Sequence, residues 1–173
     1  MNQFTSLRHA AAAGDADSVR RLIADGADIG EADNAPMRWA LRHKRHSIVK
    51  LLLDAGANVT DTLPEFLCIA AKNGDVRSLQ FLLSMKLPIL PNALDRALYD
   101  AINARKTEAV KLLIEAGANP EAEENKPVML ASSAGSAAIL EVLKAHGADV
   151  CVEESETPFR RLDTRKERPW VPS

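Results

Sequence analysis

The chain has 173 residues, a net charge of −2 and a sequence pI near 6.1, so it has no global field that would attract nucleic acid or an anionic membrane. Hydrophobic residues make up 46% of it but aromatic residues only 4%, which favours one domain of closely packed aliphatic helices. The sequence shows neither a secretory signal nor an apolar run long enough to span a membrane. We therefore expect a cytoplasmic protein, although delivery into another cell without a cleavable signal stays open.

Four similar strings define a repeat. They are RLIADGADI at 21–29, LLLDAGANV at 51–59, KLLIEAGAN at 111–119 and VLKAHGADV at 142–150. Their glycines are 30, 61 and 30 residues apart, and a degenerate copy around Lys86 divides the longer spacing into 30 and 31. The chain therefore contains five units, at about 3–32, 33–62, 63–93, 94–123 and 124–152.

A second break divides each unit into two short segments. It lies 12 residues before each of these positions, at Gly14, Lys44, Gly74, Arg105 and Gly135. Apolar residues five, eight and nine places after it have helical spacing, as in Val49, Leu52 and Leu53. Three residues just after the break can cap this second helix with a side-chain oxygen: Asp15, Asp75 and Ser136.

The first segment of each unit is predicted to be an alanine-rich helix. A small residue recurs at one place, which lets a neighbouring helix approach closely: Ala10, Ala40, Ala70, Ala101 and Ala131. Pro36 and Pro127 stand where a helix start tolerates the missing N–H. Each pair is expected to end at a left-handed turn, at Gly26, Gly56, Gly117 and Gly147. Lys44 and Arg105 stand at breaks that hold glycine in the other units, so we expect a positive φ at a residue with a side chain.

The third unit ends irregularly, because SMKLPILP replaces the Gly-Ala-Asp turn. Leu87 and Leu90, among its prolines, are either tucked under the turn or form an exposed apolar knob. After residue 152 the repeat fades. Residues 153–173 are expected to form a partial sixth repeat or cap followed by a basic tail that is either disordered or a binding segment.

The units resemble ankyrin repeats, as shown by TSLRHAAAAG, VRRLI and GAD in the first unit and by similar strings in the second, fourth and fifth. The resemblance implies an all-α solenoid of stacked helix-turn-helix units with short hairpin-like fingers, the loops before each first helix. It also implies a histidine in each first helix. This chain has other residues there: Arg8, Arg38, Cys68, Tyr99 and Met129.

We expect no catalytic activity, no cofactor, no metal and no small-molecule substrate. The sequence has no phosphate-binding glycine loop and no metal-ligand spacing. A nucleophile needs a base and an orienting group beside it, and nothing in the sequence brings these to Cys68, which sits between Leu67 and Ile69 in a helix.

The densest charge lies in RWALRHKRHSIVK, at 38–50. It is either a solvated rim, a patch for an acidic protein surface or, less favoured, a contact for phosphate or nucleic acid. With the acidic residues at 121–124 and 153–156, it would give the stack a charge gradient from end to end. Trp39 is either buried or half-buried against its neighbours or an exposed anchor for a partner.

The resemblance implies that the fingers and the ends of the first helices form a concave ligand face. Onto this sequence it places a partner-binding set, to which we add Trp39 and Lys44: Glu31, Asn34, Trp39, Arg42, His43, Lys44, Asp61, Lys72, Asn73, Asp95, Asn103, Glu123, Asn125 and Ser133. The leading hypothesis is a non-catalytic module that binds a partner protein, as an inhibitor or a scaffold. The alternatives are a homodimeric structural or adaptor protein and, more remotely, a nucleic-acid-associated protein.

Overall fold

The computed structural model describes residues 6–85 and 87–150, and the predicted cap and basic tail at 153–173 lie outside them. The described residues form ten α-helices, joined by short turns and loops. They are α1 (Leu7–Ala13), α2 (Ala16–Ala24), α3 (Glu31–Arg42), α4 (His46–Asp54), α5 (Leu63–Asn73), α6 (Val76–Ser84), α7 (Pro91–Asn103), α8 (Thr107–Glu115), α9 (Ala122–Ser133) and α10 (Ala137–Ala145).

The helices stack in two layers. Helices α1, α3, α5, α7 and α9 contact one another in that order, and α2, α4, α6, α8 and α10 form a parallel row beside them. Each helix contacts its own partner and the equivalent helices of adjacent units, which is the one-dimensional arrangement of a solenoid. The predicted all-α stack of helix pairs is confirmed.

The alanines of the first helices lie where the two layers meet. All five repeated alanines are completely buried, as the close-approach argument predicts. The second helices bury two of the three predicted positions, those five and eight places after the break, each in four of the five units. The residues four and five places after the break are buried in most units, whereas the position nine places after it is mostly half-buried, as at Leu53 and Leu83.

The side-chain caps of the second helices are confirmed in two units. Asp15 Oδ1 accepts a hydrogen bond from Ser18 N at 3.0 Å, and Asp75 Oδ1 accepts one from Ser78 N at 3.2 Å. The prediction for Ser136 is wrong, because its side chain makes no cap bond to α10. Ser18 and Ser78 also donate their hydroxyls to the capping carboxylates, and Ile139 occupies that place in the fifth unit.

The fingers are turns rather than β-hairpins, since residues 6–85 and 87–150 include no strand. In the second unit the chain turns through three left-handed residues, Ala32, Asp33 and Asn34, with φ of 47°, 55° and 59°. Residues 123–125 repeat this conformation in the fifth unit. The reason is length: the units are spaced by 30 or 31 residues, whereas an ankyrin repeat has about 33, so a full finger does not fit.

In the irregular connection of the third unit, each of the two predicted placements holds for one leucine. Leu87 is half-buried against the core, whereas Leu90 is 65% exposed just before α7 begins at Pro91. Lys86 lies outside the described residues. One leucine therefore anchors the connection and the other reaches solvent.

Glycine and basic residues alternate at the turns between the helices of a pair. A Cβ added to Gly14 would lie 2.8 Å from Cδ of Arg45, and one added to Gly74 would lie 2.7 Å from Cδ of Lys106. Arg45 Nε also donates to Ala12 O at 3.2 Å. The missing side chain of each glycine therefore makes room for the stem of a basic residue from the next unit.

Lys44 and Arg105 take the strained conformation expected of them, with φ of 53° and 56°. Replacing either with glycine is expected to raise the free energy of unfolding by about 0.5–1 kcal/mol, because glycine adopts positive φ without a Cβ clash. Urea unfolding followed by circular dichroism measures this change. Lys111→Gly in the interior of α8 is the control and should lose about 1 kcal/mol. Equal losses in all three variants would contradict the explanation by backbone strain.

Candidate protein-binding surface

The predicted side chains at the ends of the first helices are exposed. We call the outer surface of α1, α3, α5, α7 and α9 the first-helix face, which the family resemblance identifies as the concave one. Its exposed side chains from the predicted set include Arg42, His43, Lys72, Asn103 and Ser133, and Lys44 is exposed directly after α3. Asn73 is half-buried.

Trp39, Arg42 and His43 form a preassembled cluster, which we call the Trp39 platform. The Trp39 side chain is 40% exposed and stacks on the His43 ring, with 5.6 Å between centroids and 11° between ring planes. Arg42 Cζ lies 5.8 Å from the Trp39 ring centroid. The three residues occupy helical positions i, i+3 and i+4 and so face the same side. Of the two predicted placements of Trp39, the structure has the exposed one.

The helix end that bears the platform is held by the third unit. Asn73 Nδ2 donates to Leu41 O at 2.9 Å, with a longer contact of 3.5 Å to Arg42 O. These bonds satisfy carbonyl groups that a helix C-terminus leaves without partners. Asn73 therefore positions the platform, in addition to its predicted place in the binding set.

At the fingers, two residues of the predicted set connect successive loops. Asn34 is only 8% exposed, and its Nδ2 donates to Asn58 O at 2.9 Å and to Thr62 Oγ1 at 3.2 Å. At the equivalent position, Asp95 Oδ1 accepts from Asn119 N at 2.8 Å. Both side chains thus fix the spacing of the fingers. Asn125 is half-buried at the same position of the fifth unit.

The remaining finger residues differ in their surroundings. Glu31 is half-buried, and Asp61 is exposed. Glu123 accepts a hydrogen bond from Lys126 Nζ at 2.6 Å, which lowers the pKa of Glu123. Lys126 Nζ also lies 4.6 Å from the centroid of the Tyr99 ring, and burial raises the pKa of Tyr99 to about 12.

The basic side chains of segment 38–50 are not all free surface charges. Arg38 forms a bidentate pair with Glu65, with Nε–Oε1 at 2.7 Å and Nη2–Oε2 at 3.0 Å. This hydrogen bonding lowers the pKa of Glu65. Arg38 therefore links the second and third units and is not available as a free charge. The exposed cations of this segment are Arg42, Lys44, Arg45 and Lys50, and Lys72 lies nearby. Of these, Arg45 donates to Ala12 O and Lys50 lies over the Phe81 ring.

Charge also changes across the first-helix face, from the fingers to the helix ends. The fingers of the second and third units carry Asp28, Asp33 and Asp61, whereas the helix ends of those units carry Arg42 and Lys72. The predicted gradient along the stack rested partly on residues 153–156, which lie outside the described residues. A partner that lies across this face would meet acidic groups first and basic groups about one helix length further on.

Cys68 has the surroundings of a structural thiol. Its side chain is half-buried, and burial, followed by the nearby Asp100 carboxylate, raises the pKa of Cys68 to about 11. A thiol attacks as the thiolate, so this environment works against nucleophilic chemistry near neutral pH.

Thiol labelling tests this interpretation of Cys68. In a Cys151→Ser background, Cys68 of the native protein is expected to react with a chromogenic disulfide at least about a hundredfold more slowly at pH 7 than a free thiol does. The same variant in urea is the control and should react like a model peptide. Rapid labelling of the native protein would contradict the raised pKa.

Within the described part of the chain, every helix is too short or too polar to cross a bilayer, and no three His, Cys, Asp or Glu residues converge as metal ligands. The model of the family "Ankyrin repeats (3 copies)" matches residues 1–62 and 67–154. Together with the ten stacked helices, this match shows that the chain belongs to the ankyrin-repeat family.

Two relatives are much longer proteins. The Ankyrin repeat and KH domain-containing protein mask-1 of Caenorhabditis elegans is 27% identical over 150 residues, which cover 83% of this chain and 6% of that protein. The Ankyrin repeat and KH domain-containing protein CBG24701 of Caenorhabditis briggsae is 30% identical over 138 residues, which cover 76% of this chain and 5% of that protein. The chain thus spans about one-twentieth of each relative.

Proposed function

We propose that this chain works without catalysis, by binding an acidic segment of a partner protein on the first-helix face around the Trp39 platform. Ankyrin repeats are generally protein interaction modules, and the platform supplies the specific contact. The observation that carries the proposal is an exposed tryptophan that already stacks on His43 and has the Arg42 guanidinium near its ring in the unbound chain. A partner would bind it with little loss of side-chain entropy.

The charge around the platform favours an acidic partner. Arg42, Lys44 and Lys72 are exposed and make no ion pair with another residue in 6–85 or 87–150. Trp and Arg are the residue types most enriched where single side chains dominate binding energy. The patch is confined to two units, whereas nucleic-acid binding would favour a basic stripe along the stack.

For the cellular role, we propose a cytoplasmic protein that acts by covering or holding its partner, as an inhibitor or a scaffold. The support is that the described residues form a single stack of repeats with an exposed first-helix face. Residues of the binding set that also hold the stack, such as Asn34, Asn73 and Asp95, would contribute by fixing the surface. The names of the two relatives include a KH domain, and the aligned part of this chain gives no reason to extend that property here.

An affinity purification with matched variants tests the proposal. Tagged wild-type chain and a Trp39→Ala/Arg42→Glu variant would be used to recover proteins from lysate of the native host, with quantification by mass spectrometry. A Met129→Ala/Lys111→Glu variant is the control, because it makes the same types of change at an exposed apolar residue and an exposed cation far from the platform.

A protein that is lost with the platform variant and kept with the control would support binding on this face, and a purified complex would then show whether the bound partner is inhibited. Equal recovery with both variants would contradict the assignment of the platform. Recovery of further copies of the chain alone, matched by a dimer mass in light scattering, would instead support the homodimeric alternative.

A further inference from the structure

An open cavity of about 590 Å³ lies between the first two complete finger loops, at residues 27–34 and 56–62. Three carboxylates line it, those of Asp28, Asp33 and Asp61, together with the amides Asn34 and Asn58. In the part of the chain that the structure describes, no basic residue lines it. We call this cavity the acidic notch.

The acidic notch contains a buried acceptor that lacks a donor. Asn34 is 8% exposed, and its Nδ2 is used for the bonds to Asn58 and Thr62. Its Oδ1 is buried and has no hydrogen-bond partner among residues 6–85 and 87–150. A buried acceptor without a donor costs free energy. A ligand that donates an N–H to this oxygen would remove that cost, which would add to its binding free energy.

Gly30 lies close to this oxygen and adds no side chain next to it. Its φ of −89° is accessible to any residue, so the backbone itself does not require glycine here. A Cβ at this position would lie 3.5 Å from Asp28 Oδ1 and 4.0 Å from Asn34 Oδ1. Apart from Gly30 and its two chain neighbours, no other heavy atom of the described residues is within 4 Å of it. The two acceptor oxygens therefore border the same small volume.

We propose that the acidic notch binds the protonated side chain of a lysine or arginine from a partner protein. The ammonium or guanidinium N–H groups would donate to Asn34 Oδ1, and the carboxylates of Asp28, Asp33 and Asp61 would balance the charge. Asp28 Oδ1 already accepts from Gly30 N at 2.9 Å, and Asp61 makes no hydrogen bond or ion pair with any residue in the described ranges. An organic cation fits this arrangement because the carboxylates are not clustered as metal ligands in the described part of the chain.

The notch and the Trp39 platform lie at opposite ends of the regular part of α3. The partner that would supply the basic residue is the one proposed above to bind the platform, so this inference rests on the proposed function. From Pro36 to Arg42 the helix rises by about 9 Å, at about 1.5 Å per residue. An extended chain covers this distance in about three residues at about 3.3 Å each. The surface therefore fits a segment with a basic residue about three or four positions from an acidic one.

Amide chemical shifts measured by NMR test the two contacts separately. The ¹⁵N-labelled protein would be titrated at millimolar concentrations with Nα-acetyl-lysine N-methylamide, with the norleucine analogue as the uncharged control. Saturable shifts of Gly30, Asn34 and Asn58 with the lysine probe alone are expected. A separate titration with Nα-acetyl-glutamate N-methylamide, read at the Trp39 indole and Arg42, reports on the platform.

Two variants sharpen the test. Asp61→Asn is expected to weaken binding of the lysine probe about fivefold. Gly30→Ala is also expected to weaken it, because it places a methyl group beside Asp28 Oδ1 and Asn34 Oδ1 without backbone strain. Asp54→Asn, an exposed carboxylate at the end of α4, is the control and should leave the affinity unchanged. Absence of saturable shifts at the notch, or equal shifts with norleucine, would overturn the proposal for the notch, whatever the glutamate probe shows at the platform.

Discussion

Replacing Phe66 with alanine is expected to lower the free energy of unfolding by about 3–5 kcal/mol, the usual cost of removing a large aromatic side chain from a core. Phe66 lies in α5 of the central unit and is completely buried. A solenoid depends on contacts between neighbouring units, so the loss should affect the units on both sides. Urea denaturation followed by circular dichroism measures the change.

Phe81→Ala is the matched control for this experiment. Phe81 lies in α6 of the same unit but is only half-buried, with Lys50 Nζ 5.9 Å from its ring centroid. Its replacement should cost clearly less, on the order of 1–2 kcal/mol. Similar losses for the two variants would show that Phe66 is not in the main core.

The Trp39→Ala/Arg42→Glu variant is expected to bind the identified partner at least about thirtyfold more weakly, which corresponds to about 2 kcal/mol. The change removes an aromatic side chain that is 40% exposed and reverses a neighbouring charge, so the free energy of unfolding should fall by no more than about 1–2 kcal/mol. Isothermal titration calorimetry with the purified partner measures the affinity, and thermal unfolding checks the fold.

Salt dependence adds a second readout for the same variant. If Arg42 attracts an acidic segment, wild-type affinity should fall as ionic strength rises, and the variant should show a weaker dependence. Met129→Ala/Lys111→Glu should retain both the affinity and the salt dependence of wild type. An unchanged affinity of the platform variant at low salt would refute the platform as the binding site.

The helix pairs could be predicted from the sequence because they depend on local signals that recur in every unit. The repeated alanines and the apolar positions of the second helices report directly on packing, and they lie in the core. The buried position four places after the break was not predicted, because Ser18 and Ser78 occupy it in the first and third units. A serine reads as polar in a sequence, and its burial depends on the hydrogen bond to Asp15 or Asp75.

The candidate site was less predictable, because it depends on contacts between units. Position in the repeat located Arg42 and His43 on the exposed surface, whereas the placement of Trp39 was left open between packing and exposure. It could not show that Asn34 and Asp95 bond the next loop, or that Glu65 pairs with Arg38. Each of these contacts joins residues 24 or 27 positions apart, and a polar residue gives no sign of which partner it will meet.

Arg45 packs on Gly14, and Lys106 packs on Gly74. Because each of these contacts joins two neighbouring units, the smallest block that can be duplicated or deleted with its contacts intact is two units rather than one. Glycine-containing turns alternate with basic turns along the chain. Removing a single internal unit would bring two turns of the same kind together and leave a glycine without its basic neighbour, or a basic stem without its space. Removing or adding two units preserves the alternation. The length of such a stack would therefore change most easily by an even number of units.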